Sequence, residues 1–286
     1  MKRLPEWLTK RPPKAILLKE LKEFSKEHKL HTVCESARCP NIGECFAKRT
    51  ATFMILGDTC TRNCRFCSVM NGKPLPVDPD EPERVAEAVK ELRIKHAVIT
   101  SVTRDDLKDG GALIFAETVK AIRKECPNST IELLIPDFKA SYEAIEMVVK
   151  THPEVIGHNV ETVPRLYSIA RPQAVYRRSL EVLKTVKEME PSIYTKSGMM
   201  LGLGETKDEV LLVMKDLLEN NCDMITLGQY LKPSKEQLEV KEFVTPEMFE
   251  EYKDEALKMG FKYVSSSPFV RSSYNAEEFF KEIAKG

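Results

Sequence analysis

Three cysteines on one short stretch constrain this chain more than any other feature. Cys60, Cys64 and Cys67 follow a C-x3-C-x2-C spacing. Three thiolates this close together suit three corners of a [4Fe–4S] cube and leave one iron without a protein ligand. Structural zinc sites and electron-transfer clusters generally have every position filled by protein, whereas an open iron can bind a small molecule. The spacing therefore indicates chemistry at an iron–sulfur cluster.

A second cysteine triplet lies just upstream. Cys34, Cys39 and Cys45 follow a C-x4-C-x5-C spacing, so six of the eight cysteines fall in two triplets. Disulfides are the alternative for an even number of cysteines, but they are typical of small secreted domains. The chain has 286 residues, and its first residues lack the apolar segment of a signal peptide. We therefore expect a cytoplasmic protein whose clustered cysteines bind iron–sulfur clusters rather than zinc.

The charge balance disfavours two classes of partner. Lys plus Arg and Asp plus Glu number 44 each, so no overall field attracts the chain to nucleic acid or to an anionic membrane. The sequence also has no run of 18 or more apolar residues, which a membrane-spanning helix would need. We expect neither nucleic acid nor a membrane as partner.

Short apolar runs rich in β-formers alternate with longer amphipathic stretches from residue 51 onward. This alternation is typical of βα units around a parallel sheet. Six units predict an α/β fold with a partial (βα)6 TIM-like barrel, because a closed eight-stranded barrel would usually need more chain or tighter units. An open flavodoxin-like sheet is the structural alternative. The predicted strands are Thr52 to Leu56, Ala97 to Val102, Thr130 to Ile135, Val155 to Asn159, Tyr194 to Leu201 and Met224 to Gln229. The predicted helices are Pro82 to Leu92, Gly111 to Glu125, Tyr142 to Lys150, Arg178 to Met189 and Lys207 to Asn220.

The chain divides into three predicted segments. Residues 1–50 form an N-terminal extension that carries the second triplet, residues 51–240 form the barrel, and residues 241–286 form a helical segment with a serine-bearing tail. The C-x3-C-x2-C stretch directly follows the first predicted strand. Because parallel α/β folds place their chemistry at the carboxyl ends of strands, we expect this stretch at the catalytic mouth.

The C-x3-C-x-aromatic-C pattern, with Phe66 at the aromatic position, resembles the defining motif of radical S-adenosylmethionine enzymes. In that superfamily the methionine moiety chelates the open iron, and an electron from the cluster cleaves the sulfonium. The resulting 5′-deoxyadenosyl radical abstracts hydrogen from unactivated carbon. The resemblance implies that the cofactor supplies the difficult chemistry while the protein orients it.

The other motifs resemble lipoyl synthases, in which a C-x4-C-x5-C auxiliary cluster occurs together with an R-S-S-Y ending, here Arg271 to Tyr274. The similarity runs through nearly the whole chain. It includes Gly57-Asp-Thr-Cys60, Ser101-Val-Thr-Arg-Asp-Asp-Leu-Lys-Asp-Gly-Gly111, Gly157-His-Asn-Val-Glu-Thr162 and Lys196-Ser-Gly-Met-Met-Leu-Gly-Leu-Gly-Glu205.

This resemblance implies a reaction and its cofactors. Lipoyl synthases insert two sulfur atoms at C6 and C8 of an octanoyl chain on a lysine of a carrier protein and consume two S-adenosylmethionine molecules. Two [4Fe–4S] clusters are implied, the auxiliary one as sulfur donor with Ser273 as its fourth ligand. A serine oxygen is a poor partner for iron beside soft thiolates, so it could leave readily when the cluster is dismantled. An ordinary polar turn is the alternative for Ser273. The implied partners are an octanoylated glycine-cleavage H protein or acyltransferase lipoyl domain and an electron donor such as ferredoxin or flavodoxin.

Further residues are candidates for cofactor binding. Asn159 and Glu161 follow the fourth predicted strand, where an amide and a carboxylate could hydrogen-bond a ribose or an ammonium group. Gly110 and Gly111 open the second predicted helix, where the backbone can approach a ligand closely. A plain βα turn is the alternative for the glycines. Phe66 completes this set through its place in the cysteine motif.

Three other functions fit the sequence less well. A methylthiotransferase acting on RNA or protein would typically add a basic module, which the neutral charge does not suggest. An iron–sulfur electron carrier would have all cluster ligands in place and would leave the six βα units unexplained. A zinc-stabilised binding module would not need so large an α/β scaffold.

Overall fold

One mainly parallel sheet organises the chain. The computed structural model describes residues 4–10, 15–36, 39–47, 52–274 and 276–278. Within them, eight strands pair in the order β1-β2-β5-β6-β7-β8-β9-β10, and β3 pairs with β4 separately. The strands are β1 (His31–Thr32), β2 (Thr52–Ile55), β3 (Thr59–Cys60), β4 (Met70–Asn71), β5 (His96–Ser101), β6 (Thr130–Leu134), β7 (Val155–Gly157), β8 (Tyr194–Leu201), β9 (Met224–Gln229) and β10 (Tyr263–Ser266).

The sheet strands are buried on both faces. All four residues of β2 and all six of β9 are buried, as are five of the six in β5. Such continuous burial is typical of parallel strands that helices cover. Only β1 runs antiparallel to its neighbour β2. The core therefore lies between the sheet and the helices that follow its strands.

Helices connect the successive strands, and several have clear start signals. The helix α9 begins with a capping box formed by Thr206 and Glu209, which confirms the helix start expected there. Ser141 and Thr245 cap two other helices. The helices are α1 (Ala15–Glu27), α2 (Val33–Ser36), α3 (Ile42–Ala47), α4 (Glu81–Glu91), α5 (Ala112–Glu125), α6 (Tyr142–Val149), α7 (Tyr167–Ala170), α8 (Tyr176–Met189), α9 (Lys207–Glu219) and α10 (Pro246–Met259); short 3-10 turns occupy Glu6–Leu8, Phe138–Ala140 and Pro164–Leu166.

The strand order distinguishes the two folds that the sequence left open. From β2 to β10 the seven parallel strands lie side by side in chain order. A doubly wound sheet reverses its order at a switch point, whereas a barrel winds in one direction. The partial-barrel prediction is confirmed, and the flavodoxin-like alternative is wrong. The six predicted strands are all present, although most are one or two residues shorter or start a residue earlier.

A seventh parallel strand, β10, was not predicted. It pairs with β9 over Tyr263 to Ser266. Its residues alternate between partly exposed and buried, and its last two residues and the one that follows are serines, so it lacks the apolar run that marks the other strands. Strand β10 belongs to the predicted C-terminal segment and shares the sheet of the predicted barrel segment. The three-segment division remains a prediction, and the short charged helix expected at the end of the chain lies largely outside the described residues.

None of the described helices is both long enough and apolar enough to cross a bilayer.

Candidate functional site

The C-x3-C-x2-C loop leaves the carboxyl end of β2 and is closed at its base by a small ladder. Strands β3 and β4 pair in parallel on either side of it, and the amide of Gly72 donates to the carbonyl of Cys60 at 2.9 Å. Within the loop, the Cys67 amide donates to the Cys64 carbonyl at 3.0 Å. The three cysteines are thus held on one short turn at the barrel mouth, where the sequence predicted them.

Backbone amides point at two of the three sulfur atoms. The amides of Arg62 and Thr103 each lie 3.4 Å from Cys60 Sγ, and the Val69 amide lies 3.5 Å from Cys67 Sγ. Such N–H···S contacts stabilise thiolates and are among the features that tune iron–sulfur clusters. The loop offers soft sulfur ligands with donors already aimed at them.

An arginine inside the loop ties it to two neighbouring loops. Arg62 donates through Nε and Nη2 to Asp105 at 2.7 and 2.9 Å, and through Nη1 and Nη2 to Asp137 at 2.9 and 2.6 Å. Asp137 is buried but the Arg62 guanidinium holds the pKa of its carboxyl well below the usual range, against the effect of burial. These aspartates follow β5 and β6, so the clamp fixes the cysteine loop to the mouth.

The thiols of the loop lie in a low-dielectric environment. Burial raises the pKa of Cys67 to about 12, with the neighbouring thiols of Cys64 and Cys60 adding to the rise. Burial also raises the pKa of Cys64, while the Arg171 guanidinium opposes the rise. All eight cysteines lie in the described part of the chain and none of them forms a disulfide there, so the disulfide alternative is wrong here. A positive metal centre would offset the cost of three thiolates in this site.

The predicted cofactor residues Asn159 and Glu161 contact each other beside the cysteine loop. Asn159 Nδ2 donates to Glu161 Oε1 at 3.0 Å, and Arg171 Nη1 donates to the Asn159 carbonyl at 2.8 Å. Burial raises the pKa of Glu161, and the nearby charge of Arg171 lowers it. Glu161 has a φ of +66°, which non-glycine residues seldom adopt. This strained backbone conformation places the Glu161 carboxylate within hydrogen-bond distance of the Asn159 amide.

The other predicted cofactor residues have packing roles that do not require a ligand. Gly110 and Gly111 have φ values of +64° and +94°. A Cβ on Gly111 would overlap the side chain of Leu56, and one on Gly110 would lie 2.9 Å from Phe138. The turn and the close packing thus account for both glycines. Phe66 is partly buried and packs against the part of the hydrophobic core that contains residues of α8, β8, α9 and β9.

The second triplet packs against the C-terminal tail. Cys34 lies in α2 and Cys45 in α3, and the Cys39 amide donates to the Cys34 carbonyl at 3.0 Å. Burial, followed by the charges of the two other thiols, raises the pKa of Cys34 to about 12. The three thiols therefore lie within electrostatic range of one another.

Two hydrogen bonds join the segment of this triplet to the tail around Ser273, and Arg271 of the tail lies within electrostatic range of Cys39. Asn41 Nδ2 donates to the Phe269 carbonyl at 2.7 Å, and the Tyr274 hydroxyl donates to Glu44 Oε1 at 2.8 Å. The Arg271 guanidinium is buried near Cys39, and its burial lowers its pKa. Ser273 lies between these anchored residues, in a turn closed by the Tyr274 amide on the Arg271 carbonyl. This chain of contacts fits both the ligand prediction and the polar-turn alternative.

The donor atoms of both triplets suit iron–sulfur clusters. In the described ranges, no three His, Cys, Asp or Glu side chains meet the geometry of a single bound metal ion, so the fit is judged by the donor atoms. Each triplet offers three partly buried cysteines that form no disulfide among the described residues, and cysteine thiolates are the ligands that iron–sulfur clusters use. The two sites are also linked directly, since Ser68 Oγ donates to the Ser36 carbonyl at 2.8 Å.

Sequence reasoning missed several residues of the site. Arg62, Asp137 and Arg171 had no local signal, because their partners lie far away in sequence or are backbone atoms. Ser272 was part of the R-S-S-Y pattern, but its contact with Asn159 could not be read from the motif. The imidazole of His158, the sequence neighbour of Asn159, is buried between the Ile135 carbonyl and Ser179.

Comparisons with known proteins agree with this geometry. Residues 54–217 match the family model of the Radical SAM superfamily. A protein named lipoyl synthase from Caldanaerobacter subterraneus subsp. tengcongensis is 58% identical over 278 residues, which cover 96% of each chain. A second protein of that name, from Rubrobacter xylanophilus, is 52% identical and covers 99% of this chain and 88% of its own. Among solved structures, Streptococcus suis SuiB bound to S-adenosylmethionine shares the fold with a TM-score of 0.60 at 11% identity, covering 87% of this chain and 60% of that one. The chain therefore belongs to the radical SAM superfamily and, within it, to the lipoyl synthase family.

Proposed function

We propose that this protein inserts two sulfur atoms at C6 and C8 of a protein-bound octanoyl-lysine, giving lipoyl-lysine. The observation that carries the proposal is the joining of two cysteine triplets with a serine tail at one mouth, in a chain of this family. One triplet suits radical generation and the other suits a sacrificial sulfur source. A methylthiotransferase role lacks support, because the charge is balanced and no basic module is evident.

Cys60, Cys64 and Cys67 are proposed to hold a [4Fe–4S] cluster. When bound, that cluster with S-adenosylmethionine supplies a strong hydrogen-abstracting radical. The chain's own part is to hold three thiolates on the loop that the Arg62 clamp fixes, and to donate backbone N–H groups to the sulfur atoms. These contacts orient the cluster rather than perform the chemistry.

Cys34, Cys39, Cys45 and Ser273 are proposed to hold the auxiliary cluster, the sulfur donor. Contacts of Asn41 and Glu44 with the tail support this assignment, because they bring the tail to the triplet. An oxygen ligand among thiolates binds iron less well, which favours its release when the cluster gives up sulfur.

Asn159 and Glu161 are proposed to bind the ribose or the ammonium group of S-adenosylmethionine. Their mutual hydrogen bond and their place after β7 support this role. For Gly110, Gly111 and Phe66, a contact with S-adenosylmethionine is proposed in addition to their packing roles.

The proposed partners follow from the reaction. The acyl substrate is a lysine-bound octanoyl group on a glycine-cleavage H protein or an acyltransferase lipoyl domain, and a ferredoxin or flavodoxin delivers electrons. We infer a cytoplasmic location, since clustered cysteines that form no disulfide among the described residues suit a reducing compartment. Nucleic acid and membrane are not proposed as partners.

The decisive experiment is mass spectrometry of an octanoylated carrier peptide after anaerobic incubation with reduced protein and S-adenosylmethionine. The expected product carries two added sulfurs. Cys39→Ala should leave cofactor cleavage measurable but remove sulfur insertion, and Cys64→Ala should abolish both. Cys126→Ala, a lone cysteine outside both triplets, is the matched control and should behave as wild type. Equal loss of cleavage and insertion in Cys39→Ala would contradict the division of roles.

A further inference from the structure

A serine of the C-terminal tail contacts the pair expected to bind the cofactor. Asn159 Nδ2 donates to Ser272 Oγ at 2.7 Å and to Glu161 Oε1 at 3.0 Å. The side-chain amide thus joins Asn159 to Ser272, which lies 113 positions further along the chain. We call this contact of Glu161, Asn159 and Ser272 the Asn159 bridge. It uses both donor hydrogens of the amide, so it fixes the direction in which the amide oxygen points.

The sheet leaves space for this bridge at one glycine. A Cβ on Gly198 of β8 would lie 2.8 Å from Asn159 Oδ1, from Ser272 Oγ and from Thr226 Oγ1. That separation is shorter than ordinary contacts to a Cβ atom allow. Gly198 does not have a positive φ, so the backbone itself does not demand glycine there. Glycine is needed because polar groups from three elements converge above it.

The opposite side of the tail faces the second triplet. Directly next to Ser272 in sequence are Arg271, which is buried near Cys39, and Ser273. One residue further, the hydroxyl of Tyr274 bonds Glu44. Two residues of this short stretch therefore reach in two directions, Ser272 to Asn159 and Tyr274 to Glu44, the neighbour of Cys45 in sequence.

We propose that Ser272 is a positioning residue that fixes the serine tail, and with it the second cysteine site, relative to the Asn159–Glu161 pair. The inference rests on the proposed function and deepens it. A substrate carbon must meet the radical source and the sulfur source in turn, so their separation must be held closely. Without the Ser272 hydroxyl, both sites still form, but their relative position loosens.

Amide hydrogen exchange in the tail tests the contact itself. In the reconstituted full chain, Ser272→Ala should speed exchange of a peptide covering residues 268–274 by about fivefold, the effect of losing one ordinary hydrogen bond. Gly198→Ala should act in the same direction, because its added Cβ forces the bridge apart. Ser192→Ala makes the same chemical change in an exposed turn before β8, where the hydroxyl donates to Glu190, and should leave exchange of the tail unchanged. Unchanged tail exchange in both Ser272→Ala and Gly198→Ala would overturn the proposal.

The coupling between cleavage and sulfur insertion tests its consequence. Ser272→Ala should keep wild-type iron content, while the ratio of 5′-deoxyadenosine formed to sulfur inserted rises about threefold or more. A misplacement of about 1 Å can cost 10²-fold in rate. The double variant with Gly198→Ala should be no worse than the more affected single variant, because both break the same contact. An unchanged ratio would refute the positioning role. If wild type inserts no sulfur at all, the proposed function fails, and the exchange experiment still decides whether the bridge holds the tail.

Discussion

Replacing Arg62 by Ala should both destabilise the protein and empty the first cysteine site. The Arg62 side chain is 6% exposed and makes four hydrogen bonds to the carboxylates of Asp105 and Asp137. Removing one partner of a buried ion pair costs about 3–5 kcal/mol, because the other charge stays buried. Asp105 is 27% exposed and can be hydrated, whereas Asp137 is 1% exposed. Among the described residues, the Asp137 carboxylate keeps Arg178 at 3.4 Å and the amide of Lys139 at 3.1 Å. We therefore expect a loss of about 3 kcal/mol, at the lower end of that range.

The assay combines urea unfolding with iron analysis. Arg62→Lys keeps the charge, but a single ammonium cannot replace a guanidinium fork between two carboxylates, so an intermediate loss is expected. After anaerobic reconstitution, Arg62→Ala should hold about four irons per chain, compared with about eight for wild type with two four-iron clusters. Arg165→Ala is the matched control, because Arg165 makes a similar two-bond pair with Glu209 on the exposed surface. Exposed pairs contribute little, so this variant should match wild type.

A loss of less than about 1 kcal/mol in Arg62→Ala would refute this reasoning, since it would place the clamp in the range of surface pairs. Wild-type iron content in that variant would refute the second part, namely that the clamp holds the cysteine loop in shape.

Three further predictions follow from single contacts. Gly111→Ala should lower the free energy of unfolding, measured in urea, by about 1–3 kcal/mol. The reason is that position 111 has a φ of +94° and an added Cβ would overlap Leu56. An unchanged free energy of unfolding would contradict this geometry. Burial, with the Arg171 charge adding to it, lowers the pKa of His158 to about 4. Between pH 6.5 and 4 the unfolded chain therefore takes up a proton that the native state does not. The free energy of unfolding should fall by about 3 kcal/mol over that range. In the cluster-free chain, His158→Gln should show a smaller fall over that pH range, and an equal fall would exclude His158 as its source. Tyr274→Phe removes the hydrogen bond to Glu44 and should lower the local stability of the tail by about 1 kcal/mol. The measurement is faster amide exchange around residue 274. Unchanged exchange would show that this bond does not anchor the tail.

The sequence predicts the features that depend on local pattern. The six apolar runs became strands because each is buried on both faces of the sheet, which a run of apolar residues reports directly. The cysteine loop lies at the mouth because it directly follows one of those runs. Strand β10 escaped prediction because a parallel neighbour and a covering helix, rather than its own hydrophobicity, keep it in the sheet.

Contacts between distant residues could not be predicted in the same way. Arg62 and Asp137 are 75 positions apart, and no periodicity relates them. The Asn159 bridge depends on how far the tail reaches back across β8, which is decided by tertiary packing. Motif resemblance identified Ser273 and Asn159 as candidates separately. Only the fold relates one to the other.

The incomplete barrel explains why the second cysteine site lies where it does. The sheet ends at β1 on one side and at β10 on the other, and these two strands do not pair within the described residues. The segment after β1 carries the second triplet, and the segment after β10 carries the serine tail. Contacts of Asn41 with Phe269 and of Glu44 with Tyr274 join these segments. A closed barrel would fill that side with further strands and their ladder hydrogen bonds. Because it is open, two otherwise distant parts of the chain can meet beside the mouth and bring sulfur, carboxylate and hydroxyl groups to one place.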